Sequence, residues 1–266
     1  MKQKFLVLAV VILLTACTTV PVSNRKQVNL LPESELVTMG LTEYKTFLTK
    51  NPAIGASDPN AQMVKRVGQN IQAAVITYLN QHKMGKRVAG YKWEFNLVND
   101  KTVNAWCMPG GKVVVYSGLL AVTQNEAALA VVMGHEIAHA VARHGNERMS
   151  QQLMVQAGGV VLSTALATKS TETQQAFMTA YGMGSQVGAI LPFSRLHESE
   201  ADKLGLIFSA MAGYDPREAP AFWQRMAKAS SGGAPPELLS THPSDQTRID
   251  DLNKFMPQAM KHYKPK

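Results

Sequence analysis

Cysteine and long apolar runs are both scarce in this sequence. With only two cysteines among 266 residues, a fold held together by a framework of disulfides is excluded. The main apolar run, from Phe5 to Leu14, has ten residues, whereas a helix that crosses a bilayer needs roughly 20. The lysines and arginines are not interleaved with aromatic residues, so the sequence gives no sign of a nucleic-acid-binding surface.

The apolar run instead has the form of an export signal. Two lysines precede it, and it ends in Leu14-Thr15-Ala16-Cys17, which resembles the lipobox of bacterial lipoproteins. We therefore predict a signal peptide over residues 1–16 and a lipid on Cys17, which becomes the first residue of the mature protein. The alternative is an ordinary signal peptide that is cut near residue 16, with Cys17 incidental.

Export leads to several further expectations. Removal of residues 1–16 takes away two lysines and no acids, so the formal net charge falls from +8 to +6 and favours an anionic surface. Residues 17–31 are polar and are predicted to form an irregular, lipidated tether. Because residue 18 is Thr rather than Asp, the sorting rule for lipoproteins favours the outer membrane, facing the periplasm, in a bacterium with two membranes. With Cys17 lipidated, Cys107 has no disulfide partner and is predicted to be a small buried residue rather than a nucleophile.

The remainder, residues 32–266, is predicted to be one mainly helical α+β domain with a small sheet. A strand is predicted from Lys112 to Tyr116. Thr123-x-x-Glu126 fits a capping box that opens a long helix reaching at least Arg148. The glycine-rich, weakly charged segment from Gly158 to Ser194 predicts either two closely packed helices, or a lid or membrane-facing flap.

The clearest motif is His135-Glu136-Ile137-Ala138-His139, which has the form HExxH. Two histidines four residues apart lie one turn apart on one face of a helix, so both imidazoles can bind one metal ion. The intervening Glu136 can then reach a water molecule on that metal. A histidine in the core also needs a binding partner such as a metal ion, because an unpartnered buried polar group costs roughly 2–7 kcal/mol. The motif predicts one catalytic Zn²⁺ per chain.

A catalytic zinc ion needs a third protein ligand. The metzincin pattern would place a histidine at residue 145, but that residue is glycine and His144 comes one position early. His144 is therefore predicted to be a helix-surface histidine or the partner of a carboxylate. Glu198 and Asp202 are better candidates because they share a helix face, with Glu198 as the ligand and Asp202 as acceptor for the distal N–H of a ligand histidine. Their neighbours His197 and Glu200 are predicted to point away from the metal, with Glu200 solvated or salt-bridged.

The HExxH motif followed by the pattern SRxxExEAD at residues 194–202 resembles the HtpX and CAAX-prenyl-endopeptidase family of gluzincin metalloproteases. The pattern is most similar to the exported bacterial lipoprotein members and the mitochondrial Oma-type protease. The likeness runs from about Trp93 to Leu252 and includes Asn104-Ala105, Pro109-Gly110-Gly111, Ala142-Arg143-His144, Glu147-Arg148, Thr241-His242-Pro243 and Arg248. The resemblance implies a zincin-like domain with a small sheet beside the HExxH helix.

The resemblance also implies roles that spacing alone leaves open. It implies that Glu198 is the third ligand, and that His242 lies near the metal, either stabilising the oxyanion or occupying a fourth position in a resting state. It implies that the strand Lys112, Val113, Val114, Val115, Tyr116 borders the cleft and that an extended substrate adds to it as a further strand. Arg248 is expected to pair with Asp202, Glu198 or substrate, and the alternative is a plain surface arginine.

The expected function is that of a membrane-tethered zinc metalloendopeptidase that hydrolyses peptide bonds of misfolded or envelope proteins. Its expected partners are polypeptide substrates and, through the lipid on Cys17, the membrane. One alternative is a latent or chaperone-like envelope lipoprotein whose zinc is closed by His242 as a fourth ligand. Another is an exopeptidase with a pocket for the terminal amine of the substrate.

Overall fold

The computed structural model describes residues 17–185, 191–229, 236–242 and 246–265. The predicted signal peptide, residues 1–16, therefore lies outside the described residues. Within the described ranges, no helix has both the length and the apolar character needed to cross a membrane.

The described residues form helices around two small sheets, which confirms the predicted mainly helical α+β class. The helices are α1 (Glu33–Lys50), α2 (Pro59–Gln81), α3 (Ser117–Thr123), α4 (Glu126–Ala142), α5 (His144–Ala165), α6 (Thr171–Ser185), α7 (Leu191–Met211), α8 (Glu218–Ala229), α9 (Glu237–Thr241) and α10 (Gln246–Ala259). The strands are β1 (Cys17–Thr19), β2 (Lys26–Val28), β3 (Glu94–Val98), β4 (Ala105–Met108) and β5 (Lys112–Tyr116).

Helix α4, which carries the HExxH motif, runs through the centre of the core. Helix α7 packs directly along it, because both helices have a glycine where they meet. A Cβ atom on Gly134 would lie 2.9 Å from the carbonyl oxygen of Gly205, and one on Gly205 would lie 2.8 Å from the amide nitrogen of His135. A close-packed core does not accommodate such short contacts without a shift. These two glycines therefore allow HExxH on α4 to lie against the ExxxD residues of α7.

Both ends of α4 differ from the prediction. The N-cap is Asn125, whose side chain accepts a hydrogen bond of 2.8 Å from the amide of Ala128. The capping box predicted at Thr123 is wrong, because Thr123 ends α3 instead. The predicted continuation to residue 148 is also wrong: Arg143 adopts a left-handed conformation with φ of 62°, and a new helix begins at His144. The turn redirects the chain and sends His144 back toward the motif.

The three-stranded sheet has the strand order β3-β5-β4. Strand β5, residues Lys112–Tyr116, pairs in parallel with β3 and antiparallel with β4. The prediction that this strand adds a substrate is therefore wrong, because both of its edges are already paired and Val113, Val114 and Val115 are fully buried. Its continuous run of β-branched residues is typical of a central strand. The two edges of this sheet are β3 and β4, and β4 packs against α4.

The segment 17–31 is folded, so the irregular tether predicted there is also wrong. Strands β1 and β2 form an antiparallel hairpin. Val20 is fully buried and Gln27 is 1% exposed. Arg87 donates a hydrogen bond of 2.7 Å to the carbonyl oxygen of Thr19. The polar side chains of this segment suggested solvent exposure, but several of them are satisfied by hydrogen bonds to the body of the protein.

The glycine-rich segment forms the helix pair α5 and α6. A Cβ atom on Gly158 would lie 2.3 Å from the hydroxyl oxygen of Tyr181, and that hydroxyl donates a hydrogen bond of 2.8 Å to the carbonyl of Val155. Close packing of small residues is thus present in the part of the segment that is described, which excludes residues 186–190. Val161 on this pair is 70% exposed, and a lid or a membrane-facing flap stays a prediction.

Candidate metal centre

The two histidines of the HExxH motif converge on one point with a glutamate from α7. The Nε2 atoms of His135 and His139 lie 3.1 Å apart. One carboxylate oxygen of Glu198 lies 3.3 Å from Nε2 of His135, and the other lies 3.3 Å from Nε2 of His139. The structure therefore brings together the three ligands that the sequence predicted.

His242 completes this cluster. It follows the short helix α9, and its amide donates a hydrogen bond of 2.8 Å to the carbonyl of Leu238. Its Nδ1 atom lies 2.9 Å from Oε2 of Glu198 and 3.1 Å from Nε2 of His135. Ligand atoms of His135, His139, Glu198 and His242 all lie within 4.8 Å of one another, so His242 stands where a fourth ligand would be.

This donor set fits Zn²⁺. Imidazole nitrogens and carboxylate oxygens are common zinc ligands, and two histidines with one glutamate form a known catalytic set. Burial raises the pKa of Glu198, but the three neighbouring histidines outweigh burial and lower it, so the carboxylate stays ionised. A buried anion beside several imidazole nitrogens is the environment that a divalent cation requires.

His135 is held from behind by a carboxylate and an arginine. Its Nδ1 atom lies 2.9 Å from Oδ1 of Asp202. Arg248 donates two hydrogen bonds, of 2.7 and 2.8 Å, to the same carboxylate. Its guanidinium also lies 3.4 Å from the ring centroid of Trp223. Asp202 is thus hydrogen-bonded to a histidine of the candidate metal site, and its role toward a bound metal stays a prediction. Arg248 pairs with Asp202 rather than lying on the surface.

His139 is held by His144 and, through it, by Glu200, for which the sequence predicted no such role. Its Nδ1 atom lies 3.0 Å from Nδ1 of His144, and Nε2 of His144 lies 3.2 Å from Oε2 of Glu200. His144 is 1% exposed, so the predicted position on the helix surface is wrong. The alternative prediction, a carboxylate partner, is confirmed by the contact with Glu200. Burial lowers the pKa of His144 to about 4, against the hydrogen bond to Glu200.

A second buried pair flanks this chain of contacts. The ring of His197 stacks on that of His144 at a centroid distance of 4.3 Å, and its Nε2 atom lies 2.9 Å from Oε2 of Glu147. Arg25 forms salt bridges with both Glu147, at 2.6 Å, and Glu200, at 2.9 Å. The prediction that His197 and Glu200 point away from the metal is consistent with these contacts, and Glu200 is salt-bridged rather than solvated.

Glu136, the remaining residue of the motif, lies beside the cluster but outside its ligand set. It is 5% exposed, and within the described part of the chain its Oε1 atom has no hydrogen-bond partner. The nearest basic atom is Nε2 of His242, at 3.5 Å. Burial raises the pKa of Glu136. A carboxylate with one unsatisfied oxygen next to a metal site is able to bind and activate a water molecule.

A cavity of about 380 Å³ opens onto the cluster. Its wall includes Ala105, Trp106 and Cys107 of the edge strand β4, together with Glu136 and His242. Cys107 is half-buried rather than buried as predicted. The surrounding protein desolvates its thiol and raises its pKa, which disfavours the reactive thiolate. The edge strand and the candidate ligands therefore face one cavity.

Two histidines of an HExxH helix, completed by a glutamate from a second helix, define the gluzincin class of metallopeptidases. A comparison with known families agrees, since residues 65–256 match the model of peptidase family M48. The chain belongs to peptidase family M48. This confirms the resemblance that the HExxH and ExxxD motifs indicated.

Among curated proteins, the mitochondrial metalloendopeptidase OMA1 of Schizosaccharomyces pombe is 32% identical over 244 residues, which are 90% of this chain and 66% of the relative. OMA1 of Arabidopsis thaliana is 39% identical over 178 residues, 67% of this chain and 34% of the relative. The beta-barrel assembly-enhancing protease of Escherichia coli K12 is 34% identical over 163 residues, 60% of this chain and 33% of the relative. The chain thus spans between one third and two thirds of the length of these three relatives.

Proposed function

We propose that this protein is a zinc-dependent endopeptidase that cleaves peptide bonds within polypeptide chains. The observation that carries the proposal is the convergence of His135, His139 and Glu198 beside a buried Glu136 with an unpartnered oxygen. The names of the relatives, metalloendopeptidase and protease, support the same activity.

The residues of the site divide the chemistry of hydrolysis between them. When bound, Zn²⁺ acts as a Lewis acid toward a carbonyl oxygen and lowers the pKa of a bound water molecule. Glu136 accepts the proton of the attacking water and delivers it to the leaving amine. Because burial raises the pKa of Glu136, the group is suited to hold and release that proton. His242, which lies next to Glu136, can donate a hydrogen bond to the developing oxyanion.

We further propose that an extended substrate binds along the outer edge of β4. Strand β4 is an edge of the three-stranded sheet, and residues 105–107 line the cavity that contains Glu136. The backbone of an edge strand has unpaired N–H and C=O groups that can bind a peptide in register. Strand β4 thus replaces β5 as the proposed substrate-binding strand, because both edges of β5 are already paired.

The substrate class that we propose is misfolded or envelope proteins, degraded for quality control at a bacterial membrane. The predicted lipid on Cys17 supports this location, and the name of the Escherichia coli relative refers to β-barrel assembly. The lipid can be tested by mass spectrometry of the mature protein from the native host. A diacylglycerol-modified Cys17 in the outer-membrane fraction is expected, whereas an unmodified N-terminus in the soluble fraction would contradict the anchor.

The activity can be tested with the mature chain, residues 17–266, in which Cys17 is replaced by Ser so that no lipid is needed. The protein is incubated with an unfolded polypeptide, with and without a chelator, and the products are mapped by mass spectrometry. Internal cuts that disappear with chelator and return with Zn²⁺ are expected. Removal of terminal residues alone would favour the exopeptidase alternative.

A second candidate function is a latent or chaperone-like lipoprotein with a closed zinc site. The position of His242 Nδ1, 2.9 Å from Glu198, favours this alternative, because a fourth protein ligand leaves no position for water. The variant His242→Ala separates the two functions. Proteolysis that rises in this variant indicates a latent site, and proteolysis that falls indicates that His242 stabilises the transition state.

A further inference from the structure

The support of His139 leads out of the metal centre and reaches the N-terminal hairpin. We propose that His144, Glu200 and Arg25 form a positioning chain for the metal-binding nitrogen of His139, and that the hairpin 17–28 is therefore part of the metal-binding unit. The inference rests on the proposed metal site and adds a set of residues to it. The contact between His144 and His139 joins these three residues to the ligand cluster.

The direction of the hydrogen bonds follows from the position of the cluster. The Nε2 atom of His139 faces the other ligands, so its proton is on Nδ1 and is donated to Nδ1 of His144 over 3.0 Å. His144 must then carry its own proton on Nε2 and donate it to Glu200 over 3.2 Å. Both contacts are satisfied by this single arrangement of protons, which fixes the tautomer of the ligand.

Glu200 is fixed just as firmly at the far end of the chain. Its Oε1 atom accepts hydrogen bonds from the hydroxyl of Ser23 and from Nε of Arg25, and its Oε2 atom accepts from His144 and from Nη2 of Arg25. Each oxygen therefore accepts two bonds, and the carboxylate has little freedom to rotate. Two of its three partners belong to the N-terminal hairpin.

Arg25 is the residue that couples the hairpin to the site. Its side chain is 20% exposed, whereas those of Glu147 and Glu200 are 3% and 1% exposed. It binds each carboxylate with two nitrogens, the planar geometry for which arginine is suited and lysine is not. Without Arg25, both buried carboxylates lose their main cationic partner, and the orientation of His144 and His197 between them is no longer fixed.

The test compares zinc affinity across variants of the mature lipidated protein in detergent. Affinity is measured by competition with a chromogenic chelator, and visible absorption of the Co²⁺-loaded protein reports on the geometry around the ligands. Arg25→Ala is expected to weaken zinc binding roughly 10-fold, the lower end for loss of a group that orients a ligand, and to change the Co²⁺ spectrum. The control is Arg217→Ala, which removes an exposed arginine from an ion pair with Asp215 and should change neither.

Two further variants keep the test decisive if Arg25→Ala folds poorly. His144→Phe keeps a ring that can stack on His197 but removes the acceptor for His139, and should weaken zinc binding by a similar factor. His144→Gln restores an acceptor oxygen and should recover part of the loss. Zinc affinities and Co²⁺ spectra equal to those of the control would overturn the positioning chain, whereas a wild-type protein that binds no zinc would overturn the proposed metal site itself.

Discussion

The two candidate metal ligands of α4, His135 and His139, are held by different parts of the chain. His135 contacts Asp202 directly, and Arg248 from α10 secures that carboxylate. The support of His139 also ends in a carboxylate and an arginine, but a second histidine, His144, stands between ligand and carboxylate. Asp202 and Arg248, on α7 and α10, thus form the support of His135. His144, Glu200 and Arg25, on α5, α7 and the N-terminal hairpin, form the N-terminal support of His139.

The difference has an electrostatic consequence for the two ligands. Burial lowers the pKa of His135, but Asp202 and Glu198 outweigh it and raise the pKa to about 9. Burial lowers the pKa of His139 well below its usual range, against the raising effect of Glu198, and the imidazoles of His135 and His144 lower it further. A directly bound carboxylate makes a ligand histidine more basic, so we expect His135 to be the stronger donor to a metal.

The largest effect on proteolysis is expected for Glu136, which belongs to neither support. Glu136→Gln removes the general base but no ligand, so proteolysis should fall by at least roughly 100-fold while zinc binding is retained. Turnover is measured on an unfolded polypeptide, and metal content by elemental analysis of the same preparation. Cleavage at the wild-type rate by the zinc-loaded variant would remove Glu136 from the mechanism.

The next effect compares the two supports directly. Asp202→Ala should weaken zinc binding roughly 10- to 100-fold and more than Arg25→Ala does, because Asp202 bonds to a ligand and Arg25 acts through two intervening groups. Chelator competition gives both affinities, and Asp215→Ala, at an exposed ion pair, is the control. An Arg25 variant that loses more zinc than the Asp202 variant would reverse the ranking of the supports.

The N-terminal support should also appear in the acid stability of the zinc-free protein. Burial raises the pKa of Glu147 and of Glu200, but Arg25 and the histidines outweigh it and lower both to about 2 from the usual 4.5. A lowered pKa contributes stability that is complete above about pH 4.5 and is lost as the pH falls toward 2. Arg25→Ala should therefore cost roughly 3 kcal/mol at neutral pH.

This cost should shrink as the solution becomes more acidic, because protonated carboxyls no longer need the arginine. Denaturant unfolding of wild type and variant between pH 7 and pH 2 measures the difference. Arg217→Ala serves again as the control for loss of a positive charge. A difference that stays constant down to pH 2 would show that Arg25 does not act through these two carboxylates.

A smaller effect is expected at the contact between α4 and α7, on which both supports depend. Gly205→Ala places a Cβ atom 2.8 Å from the amide nitrogen of His135, so α7 must move away from α4. We expect a loss of about 1–3 kcal/mol in the free energy of unfolding, together with weaker zinc binding. Ala substitution at Gly145, where a Cβ meets nothing within 4 Å, is the matched control. Unchanged zinc affinity in Gly205→Ala would mean that the helix spacing is not critical.

The same comparison explains which parts of the molecule the sequence could predict. Spacing on one helix predicts that His135 and His139 share a face, and spacing on a second helix predicts the same for Glu198 and Asp202, since residues four apart share a face. That Glu198 is the third ligand was implied by the family resemblance, and the contact of Asp202 with His135 joins residues 67 apart in the chain. His242 and Arg248 came from the family resemblance, because a loop and a third helix place them.

The other support could not be predicted in this way. The sequence predicts a continuous helix through His144, whereas the left-handed turn at Arg143 directs this residue at His139. Arg25 is far from the motifs in sequence and lies in a polar segment that gives no periodic signal. The position of β5 in the centre of the sheet likewise depends on pairing between strands, which a run of valines suggests but does not specify.

Anomalous diffraction at the zinc edge, from crystals of the zinc-loaded protein, tests the central claim most directly. We predict one zinc ion per chain, at about 2.0–2.2 Å from Nε2 of His135, Nε2 of His139 and a carboxylate oxygen of Glu198, with Nδ1 of His139 bonded to His144. A zinc ion bound elsewhere, or no zinc ion in this cluster, would contradict the account.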